Sequence, residues 1–144
     1  MRVQLQFPEA FSFQTEILVR VTDLNYGNHL GNDALLSMLH EARVQFLQNL
    51  GYSELNVEGA GMIMADVAII YKGEGFYGDK LTIKVTAAEL SKYGFELYYH
   101  VLNQHGKEIA QAKTGMLCFN YETRKLMSLP EKAAEKLKNG RQLD

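Results

Sequence analysis

The side chains best suited to chemistry are concentrated in one stretch, residues 21 to 51. Asp23, Asn25 and His29 lie in a polar corner that also contains glycines, and Glu41 follows sixteen positions after Asn25. A carboxylate can activate water or attack a carbonyl carbon, and an amide or an imidazole can orient the reacting groups. These residue types are suited to acyl chemistry that needs no cofactor.

The corner leads into a segment with the pattern of a long helix. Apolar residues recur there at helical spacing and form one continuous stripe, which comprises Leu35, Leu39, Ala42, Phe46 and Leu50. Asn32 or Asp33 is expected to cap the start of the helix, and Gly51 to end it. The backbone N–H groups of Gly31, Asn32 and Asp33 would then be available to an oxyanion, with the helix dipole behind them.

Glu41 occupies a distinctive position on this helix. On the helical wheel it lies beside Ala34 and Met38, at the border of the apolar face. A carboxyl group at such a border is partly removed from water, which suits a group that takes up a proton during a reaction. Glu41 is therefore the predicted base or nucleophile, with Asp23 as the reserve carboxylate.

Each of these residues also has a purely structural interpretation. Glu41 could pair with a basic side chain across a partly buried surface. Asp23 and Asn25 are ordinary residues for a strand-to-helix corner, where such side chains hydrogen-bond their own backbone. His29 alone would more often be structural than catalytic, and Arg43 is assigned to structure.

Strands are predicted on both sides of the helix. Alternating apolar residues indicate a first strand from Phe11 to Val21, with the odd-numbered positions facing the core. Residues 52–61 are predicted to form a loop that could include a short helical turn. Further strands are predicted at residues 62–72, 81–88, 95–101 and 109–121, and the first of these is expected to be the most fully buried.

The C-terminal part predicts one more helix and completes the fold. Ser128 to Glu131 has the form of a capping box with proline in the first turn, which indicates a short surface helix. Tyr98 and Tyr99 are neighbours on a strand and are expected to point to opposite faces, one into the core and one to the surface. The economical packing is an antiparallel sheet curled around the long central helix, an α+β fold.

Composition and charge exclude several classes of protein. The 144 residues, 47% of them hydrophobic, suit a single domain over residues 1–144. A net charge of −2 without a concentrated basic face argues against nucleic acid as a partner. The single Cys118 excludes an internal disulfide and suits a reducing, cytoplasmic compartment. Neither a membrane-spanning run, nor metal-ligand spacing, nor a nucleotide-binding glycine motif is found.

The corner and the helix together resemble the hotdog-fold thioesterases of the 4-hydroxybenzoyl-CoA thioesterase type. In that family the end of the first strand carries the pattern D-x-D-x-x-G-H-x-N-N, and the helix carries E-A-R-x-x-F-L. This chain reads DLNYGNHLGN from Asp23 to Asn32 and EARVQFL from Glu41 to Leu47. A weaker match continues into the later strands, so the resemblance covers nearly the whole chain.

The resemblance implies a homodimer whose sheets join edge to edge, with the site between subunits, and the sequence leaves a tetramer open as the alternative. It also implies an acyl-CoA or acyl-carrier thioester as the substrate. One departure from the family pattern bears on the chemistry, because Asn25 replaces the second aspartate, which is the nucleophile or base of that subgroup. A second hotdog subgroup has an asparagine at about this corner and its working carboxylate on the central helix, and Glu41 is available for that pairing.

The sequence therefore predicts an acyl thioester hydrolase. Glu41 would act as base or nucleophile, Asn25 and His29 would orient the water or the thioester carbonyl, and the amides at the start of the helix would hold the oxyanion. No metal is expected, and no cofactor other than the coenzyme A that belongs to the substrate.

Substrate contacts are predicted at Tyr26 in the corner and at Lys72 and Lys92, two lysines that could reach the phosphates of coenzyme A. The partner is a small-molecule acyl thioester, and neither nucleic acid nor a membrane is expected. Two other functions stay open: a non-catalytic acyl-thioester-binding protein of the same fold, and a hotdog hydratase or dehydratase. The pattern does not specify the acyl chain.

Overall fold

The computed structural model describes residues 2–139 and contains one sheet and two helices. The strands are β1 (Phe13–Leu18), β2 (Gly61–Tyr71), β3 (Lys80–Ala88), β4 (Gly94–Leu102), β5 (Glu108–Asn120) and β6 (Lys125–Leu126). The helices are α1 (Asn32–Asn49) and α2 (Glu131–Lys138), and a 3₁₀ turn spans Val21–Asp23. The α+β class is confirmed. None of the helices within residues 2–139 is long and apolar enough to cross a membrane.

The sheet is antiparallel throughout, with the strand order β1-β3-β4-β5-β2 and the short β6 added to β5. Helix α1 packs against β1 and β3. Because β1 runs into the corner and the corner runs into α1, the polar residues between them lie where the edge of the sheet meets the start of the helix.

The apolar stripe of α1 forms the centre of the core, as predicted. Its first four members are at most 2% exposed, namely Leu35, Leu39, Ala42 and Phe46. Gly51, at φ +87°, follows the end of the helix and allows the backbone to leave it, because this conformation favours glycine. The chain therefore ends the helix where the sequence predicted.

Both predicted N-terminal caps are wrong. The N-cap of α1 is Gly31, and Asn32 and Asp33 lie inside the helix, so neither can act as the capping side chain. The N-cap of α2 is Pro130, which has no side-chain hydrogen bond to offer, and Ser128 lies outside the helix start. In each case the helix begins one or two residues away from the position that the capping pattern indicates.

Strand β1 is shorter than predicted. It ends at Leu18, and Val21 is 68% exposed in the 3₁₀ turn instead of facing the core. The Asp23 carboxylate accepts a hydrogen bond from the Arg20 N–H at 2.8 Å, which turns the chain away from the sheet. The hydrogen bond within the polar corner therefore ends the strand earlier than the alternating apolar residues predict.

Strand β2 is not the buried interior strand that its apolar sequence predicts. It lies at the edge of the sheet, and among the described residues its one pairing partner is β5. Residues 64–67 are exposed, with Met64 41% and Val67 40% accessible. Apolar content alone does not distinguish an interior strand from an edge that a second chain could cover.

The two neighbouring tyrosines point to opposite faces of β4, yet both are buried, so the expectation of one exposed ring is wrong. Phe7, in the segment before β1, packs edge-on over Tyr98 with ring centroids 6.1 Å apart. Phe7 and Phe11 also pack on His100. The N-terminal segment therefore covers part of the outer face of the sheet.

The segment 52–60 contains turns and isolated bridges and is the predicted loop, without a helical turn. Cys118 is fully buried on β5. Burial raises the pKa of its thiol to about 11, because the charged thiolate is disfavoured away from water.

Candidate active site

An open groove of about 450 Å³ lies between β1, the 3₁₀ turn and α1, and we call it the β1–α1 groove. Its charged side chains are Glu16, Arg20, Asp23 and Glu41. The rest of the wall is formed by Ile17, Leu18, Ala34, Ser37 and Met38. Carboxylates that could accept a proton thus share one space with an apolar wall that could hold an acyl group.

Glu41 is held in place by a chain of hydrogen bonds that crosses from α1 to β1. Gln45 Nε2 donates to Glu41 Oε2 at 2.7 Å. The Thr15 hydroxyl donates in turn to Gln45 Oε1. Among residues 2–139 no side chain donates to the second carboxylate oxygen, Oε1, so one oxygen is held and the other can accept a proton from water.

The predicted partial burial of Glu41 is wrong, because its side chain is exposed on the groove wall of the single chain. Among residues 2–139, Glu41 does not form the predicted alternative either, an ion pair with a basic side chain. Its side-chain hydrogen-bond partner within residues 2–139 is the neutral Gln45. The carboxylate is therefore oriented without being neutralised.

Asp23 is the more enclosed carboxylate of the groove, with a side chain only 12% exposed. Its Oδ2 accepts the Arg20 N–H at 2.8 Å and lies 3.7 Å from the Arg20 Nε. These contacts hold the 3₁₀ turn together and match the structural interpretation of Asp23. It shares the groove with Glu41 and remains the second carboxylate in reach of a bound molecule.

Asn25 and His29 hydrogen-bond to each other within the corner. The Asn25 N–H donates to the His29 carbonyl at 2.9 Å, and Asn25 Nδ2 lies 3.5 Å from His29 Nδ1. The Asn25 Oδ1 accepts the Gly27 N–H at 2.8 Å. Neither side chain lines the β1–α1 groove. Asp23, and not Asn25, is the corner residue that the fold brings into one groove with Glu41.

The start of α1 offers fewer free amides than the sequence suggests. The Gly31 N–H already donates to the Asp23 carbonyl at 3.0 Å, so it is not available to an oxyanion. The N–H groups of Asn32 and Asp33 lie in the first turn, where a helix supplies no carbonyl partners. A Cβ at Gly31 would lie 3.6 Å from Asn25 Cβ, which shows that Asn25 borders this helix start.

The predicted coenzyme contacts lie at opposite ends of the sheet. Lys72 follows Tyr71, which pairs with Ala110, whereas Lys92 precedes Gly94, which pairs with Leu117. Seven residues of β5 separate these positions, on the order of 20 Å. Within one chain the two lysines therefore do not converge on one phosphate group.

Lys72 lies at the end of the sheet that carries the corner, because Leu30 in the corner donates its N–H to the Gly75 carbonyl at 2.7 Å. Tyr26 projects fully into solvent from the same corner. Lys92 instead lies over the ring of Tyr93, 5.2 Å from its centroid.

Among residues 2–139 no three His, Cys, Asp or Glu side chains are grouped closely enough to share a metal ion.

A second polar cluster, which the sequence did not predict, lies on α1. His40 Nε2 lies 2.6 Å from Glu54 Oε1, and Arg43 Nε donates to Glu54 Oε2 at 3.1 Å. Arg43 also donates to the buried Tyr99 hydroxyl at 3.3 Å, which confirms its assignment to structure. Glu54 is distant in sequence and could not be found from α1 alone. Gln45, four residues after Glu41, could have been found from helical spacing.

Glu54 makes stability depend on pH. Burial raises the pKa of Glu54, but the hydrogen bonds from His40 and Arg43 outweigh burial and leave the pKa below its usual 4.5. A carboxyl group whose pKa is lower in the folded than in the unfolded protein stabilises the fold at pH values above its unfolded-state pKa. This contribution is lost as the pH falls through the folded-state pKa. We therefore expect the free energy of unfolding to decrease less in the Glu54→Gln variant than in wild type when the pH is lowered below 4.5. Urea unfolding at a series of acidic pH values measures this. An equal decrease in the free energy of unfolding of the two proteins would contradict the prediction.

The sequence was compared with protein families and with characterised relatives. Residues 19–137 match the model of the thioesterase-like superfamily. The long-chain acyl-CoA thioesterase FadM of Escherichia coli (strain K12) is 28% identical over 126 residues, which cover 86% of this chain and 96% of FadM. The 1,4-dihydroxy-2-naphthoyl-CoA hydrolase of Synechococcus elongatus is 27% identical over 124 residues, which cover 83% of this chain and 90% of that protein.

The fold was compared with solved structures. A 1,4-dihydroxy-2-naphthoyl-CoA thioesterase from Synechocystis superposes with a TM-score of 0.77 at 22% identity. The superposition covers 87% of this chain and 93% of that chain. At this identity the likeness concerns the fold, and it confirms the predicted hotdog architecture.

Proposed function

Because this chain belongs to the thioesterase-like superfamily, we propose that it hydrolyses acyl-CoA thioesters in the β1–α1 groove, with Glu41 as the base that activates water. Thioester hydrolysis itself follows from the family and from the two relatives described above. The place of the reaction and the roles of the residues are our proposal. The observation that carries it is a carboxylate held at one oxygen by Gln45, with the other oxygen open to a groove that has an apolar wall.

The proposed reaction begins with a water molecule hydrogen-bonded to Glu41 Oε1. As the water oxygen attacks the thioester carbonyl carbon, Glu41 takes up a proton and the carbonyl oxygen becomes an oxyanion. The first-turn amides of Asn32 and Asp33, aided by the helix dipole, stabilise that negative charge. The carbon–sulfur bond then breaks, which yields the carboxylic acid and coenzyme A with a free thiol.

Asn25, His29 and Asp23 have supporting roles in this proposal. Asn25 borders the start of α1 outside the groove wall and hydrogen-bonds to His29, and together they would orient the part of the thioester that reaches the oxyanion amides. Asp23 shares the groove and is the alternative base. Its hydrogen bond to the Arg20 N–H makes it the second choice, because that oxygen already serves the 3₁₀ turn.

We propose that coenzyme A enters from the corner end of the sheet. Tyr26 presents an exposed ring there, and the Lys72 ammonium can meet a phosphate. Lys92 lies at the far end and would need a second chain to take part. The reaction requires no metal or other cofactor, since Glu41 and the backbone amides supply the acid–base and electrostatic help.

We propose a homodimer formed through the free edge of β2. Within residues 2–139 that edge has no neighbouring strand, and its exposed Met64 and Val67 give it an apolar character. Pairing with a second copy would satisfy the backbone and remove the apolar side chains from water. We also propose a cytoplasmic location, because the one cysteine, Cys118, is a free thiol.

The function is tested by a thiol-release assay on a panel of acyl-CoAs. The panel includes a long-chain and an aromatic acyl group, because the two relatives are named for these two classes. Release of free thiol with at least one ester is expected. Calorimetric binding of acyl-CoAs without thiol release would favour the non-catalytic alternative, and hydration of an enoyl-CoA without thiol release would favour a hydratase.

Replacing Gln45 by methionine tests how Glu41 is oriented. The variant keeps the length of the side chain and removes the donor to Glu41. We expect kcat to fall roughly tenfold to a hundredfold with little change in KM, since a hydrogen bond to a charged group contributes roughly 1.5–3 kcal/mol. Gln48→Met, on an exposed position of the same helix, is the matched control. Equal kinetics for the two variants would contradict the orienting role.

A further inference from the structure

A second groove adjoins the first. It has a volume of about 320 Å³ and is lined by Asp33, Leu36, Ser37, His40, Arg43 and Met64. Ser37 lines both grooves, so the two spaces meet at this residue on α1. Glu41 and His40 are consecutive on the helix and face the first and the second groove respectively. A thioester that crosses Ser37 would therefore have one polar side chain on each side of its reacting bond.

The hydrogen bonds around His40 determine how its ring is used. Arg43 donates to Glu54 Oε2, which keeps Glu54 an ionised acceptor. An ionised carboxylate can only accept, so His40 Nε2 must carry the proton that it shares with Glu54 Oε1 at 2.6 Å. Within residues 2–139 no side-chain partner is found for the other ring nitrogen, Nδ1. His40 is thus a fixed imidazole with one nitrogen free, while its side chain stays 57% exposed to solvent.

The same cluster is anchored in the core, which limits its movement. Arg43 is only 6% exposed and donates to the Tyr99 hydroxyl, which lies 2.7 Å from Thr114 Oγ1. Because Glu54 and Arg43 connect the His40 ring to this buried network, the ring is held in one orientation. This arrangement is the one by which a carboxylate orients a histidine and stabilises its protonated form.

We infer that His40, oriented by Glu54, is the acid that protonates the sulfur of coenzyme A as the carbon–sulfur bond breaks. The inference rests on the proposed function, because it assumes that the acyl group occupies the β1–α1 groove. The imidazolium gives its Nδ1 proton to the departing thiolate, and the neutral ring recovers a proton from solvent. The proton taken from water stays with Glu41 until the acid leaves, so charge and protons balance.

The charges around His40 favour this role. Glu54 contacts it from the loop after α1, and Asp33 lines the same groove from the first turn of the helix. Arg43 is the cation on the groove wall, and its charge is directed to Glu54. Met64, from β2, is the uncharged neighbour on the opposite side. Two carboxylates and one arginine therefore surround the His40 ring.

The test compares two leaving groups. Wild type, His40→Gln and Glu54→Gln are assayed with an acyl-CoA and with the same acyl group on an aromatic thiol, whose thiolate is stable without a proton. His40→Gln should lower kcat on the acyl-CoA by on the order of 10²-fold, the lower part of the range for general acid catalysis. Its kcat on the aryl thioester should stay near that of wild type. Glu54→Gln should show the same selectivity with a smaller loss.

Controls separate this inference from the proposed function. Glu41→Gln should lower turnover of both substrates alike, since both need an activated water. His105→Gln, at an exposed turn, should leave both unchanged. A His40→Gln variant that loses activity equally on both thioesters, or on neither, would overturn the inference and leave the role of Glu41 intact. If Glu41→Gln is fully active, the proposed base is wrong, and the ratio between the two substrates still decides the role of His40.

Discussion

Replacing Glu41 by glutamine is expected to reduce kcat on acyl-CoA by about 10²–10⁴-fold, the usual contribution of a positioned general base. Glutamine keeps the size of the side chain and can still contact Gln45, but it cannot accept a proton from water. Because Glu41 contacts the attacking water and not the coenzyme, KM should change little. Steady-state thiol release on the best acyl-CoA of the panel measures both constants.

Two variants in the same groove make this result specific. Glu16→Gln removes an exposed carboxylate of the β1–α1 groove and should retain activity, which controls for the loss of negative charge alone. Asp23→Asn should cause the smaller loss, through the 3₁₀ turn that it stabilises. Full turnover in Glu41→Gln combined with inactivity in Asp23→Asn would transfer the base role to Asp23.

Replacing Arg43 by methionine is expected to lower the free energy of unfolding by about 1.5–3 kcal/mol, the contribution of a hydrogen bond to a charged group, because Arg43 is buried and Glu54 is partly buried. Methionine occupies much of the same volume but leaves Glu54 without its guanidinium partner and the Tyr99 hydroxyl with one partner fewer. Urea unfolding at neutral pH, followed by circular dichroism, gives the difference directly.

Tyr99→Phe is the matched control for the Arg43 variant. It removes only the hydroxyl that Arg43 and Thr114 contact, so we expect a loss of about 1 kcal/mol. An Arg43→Met variant no less stable than Tyr99→Phe would show that the pair with Glu54 contributes nothing. Because Arg43 is one of the two groups that lower the pKa of Glu54, the Arg43 variant should lose part of the acid dependence of stability that Glu54 causes.

Much of the architecture was predictable from local pattern. The apolar stripe on α1 follows from a period of 3.6 residues, and most of the strands follow from a period of two. The end of the helix follows from the conformational freedom of Gly51. All three signals depend on residues close together in the sequence. The family was predictable because the corner and the E-A-R segment lie in continuous stretches of chain. The position of Asn25 in that pattern also directed attention to Glu41.

Other features depend on which segments meet in space. The edge position of β2 and the burial of Tyr98 follow from the strand order and from Phe7 at the start of the chain. No periodicity within β2 or β4 contains that information. The short β1 likewise reflects a hydrogen bond between Arg20 and Asp23, which competes with the strand pattern.

By itself, the sequence determined the central helix, the antiparallel strands and the residue types available for acyl chemistry. Only the tertiary structure decided that Glu41 shares a groove with Asp23, that Thr15 on β1 contacts Gln45, and that Glu54 reaches back to His40. The physical reason is that helical and strand periodicity arise from contacts close in sequence. A site instead forms between an edge strand, a loop and a helix whose approach is set by the packing of the whole core.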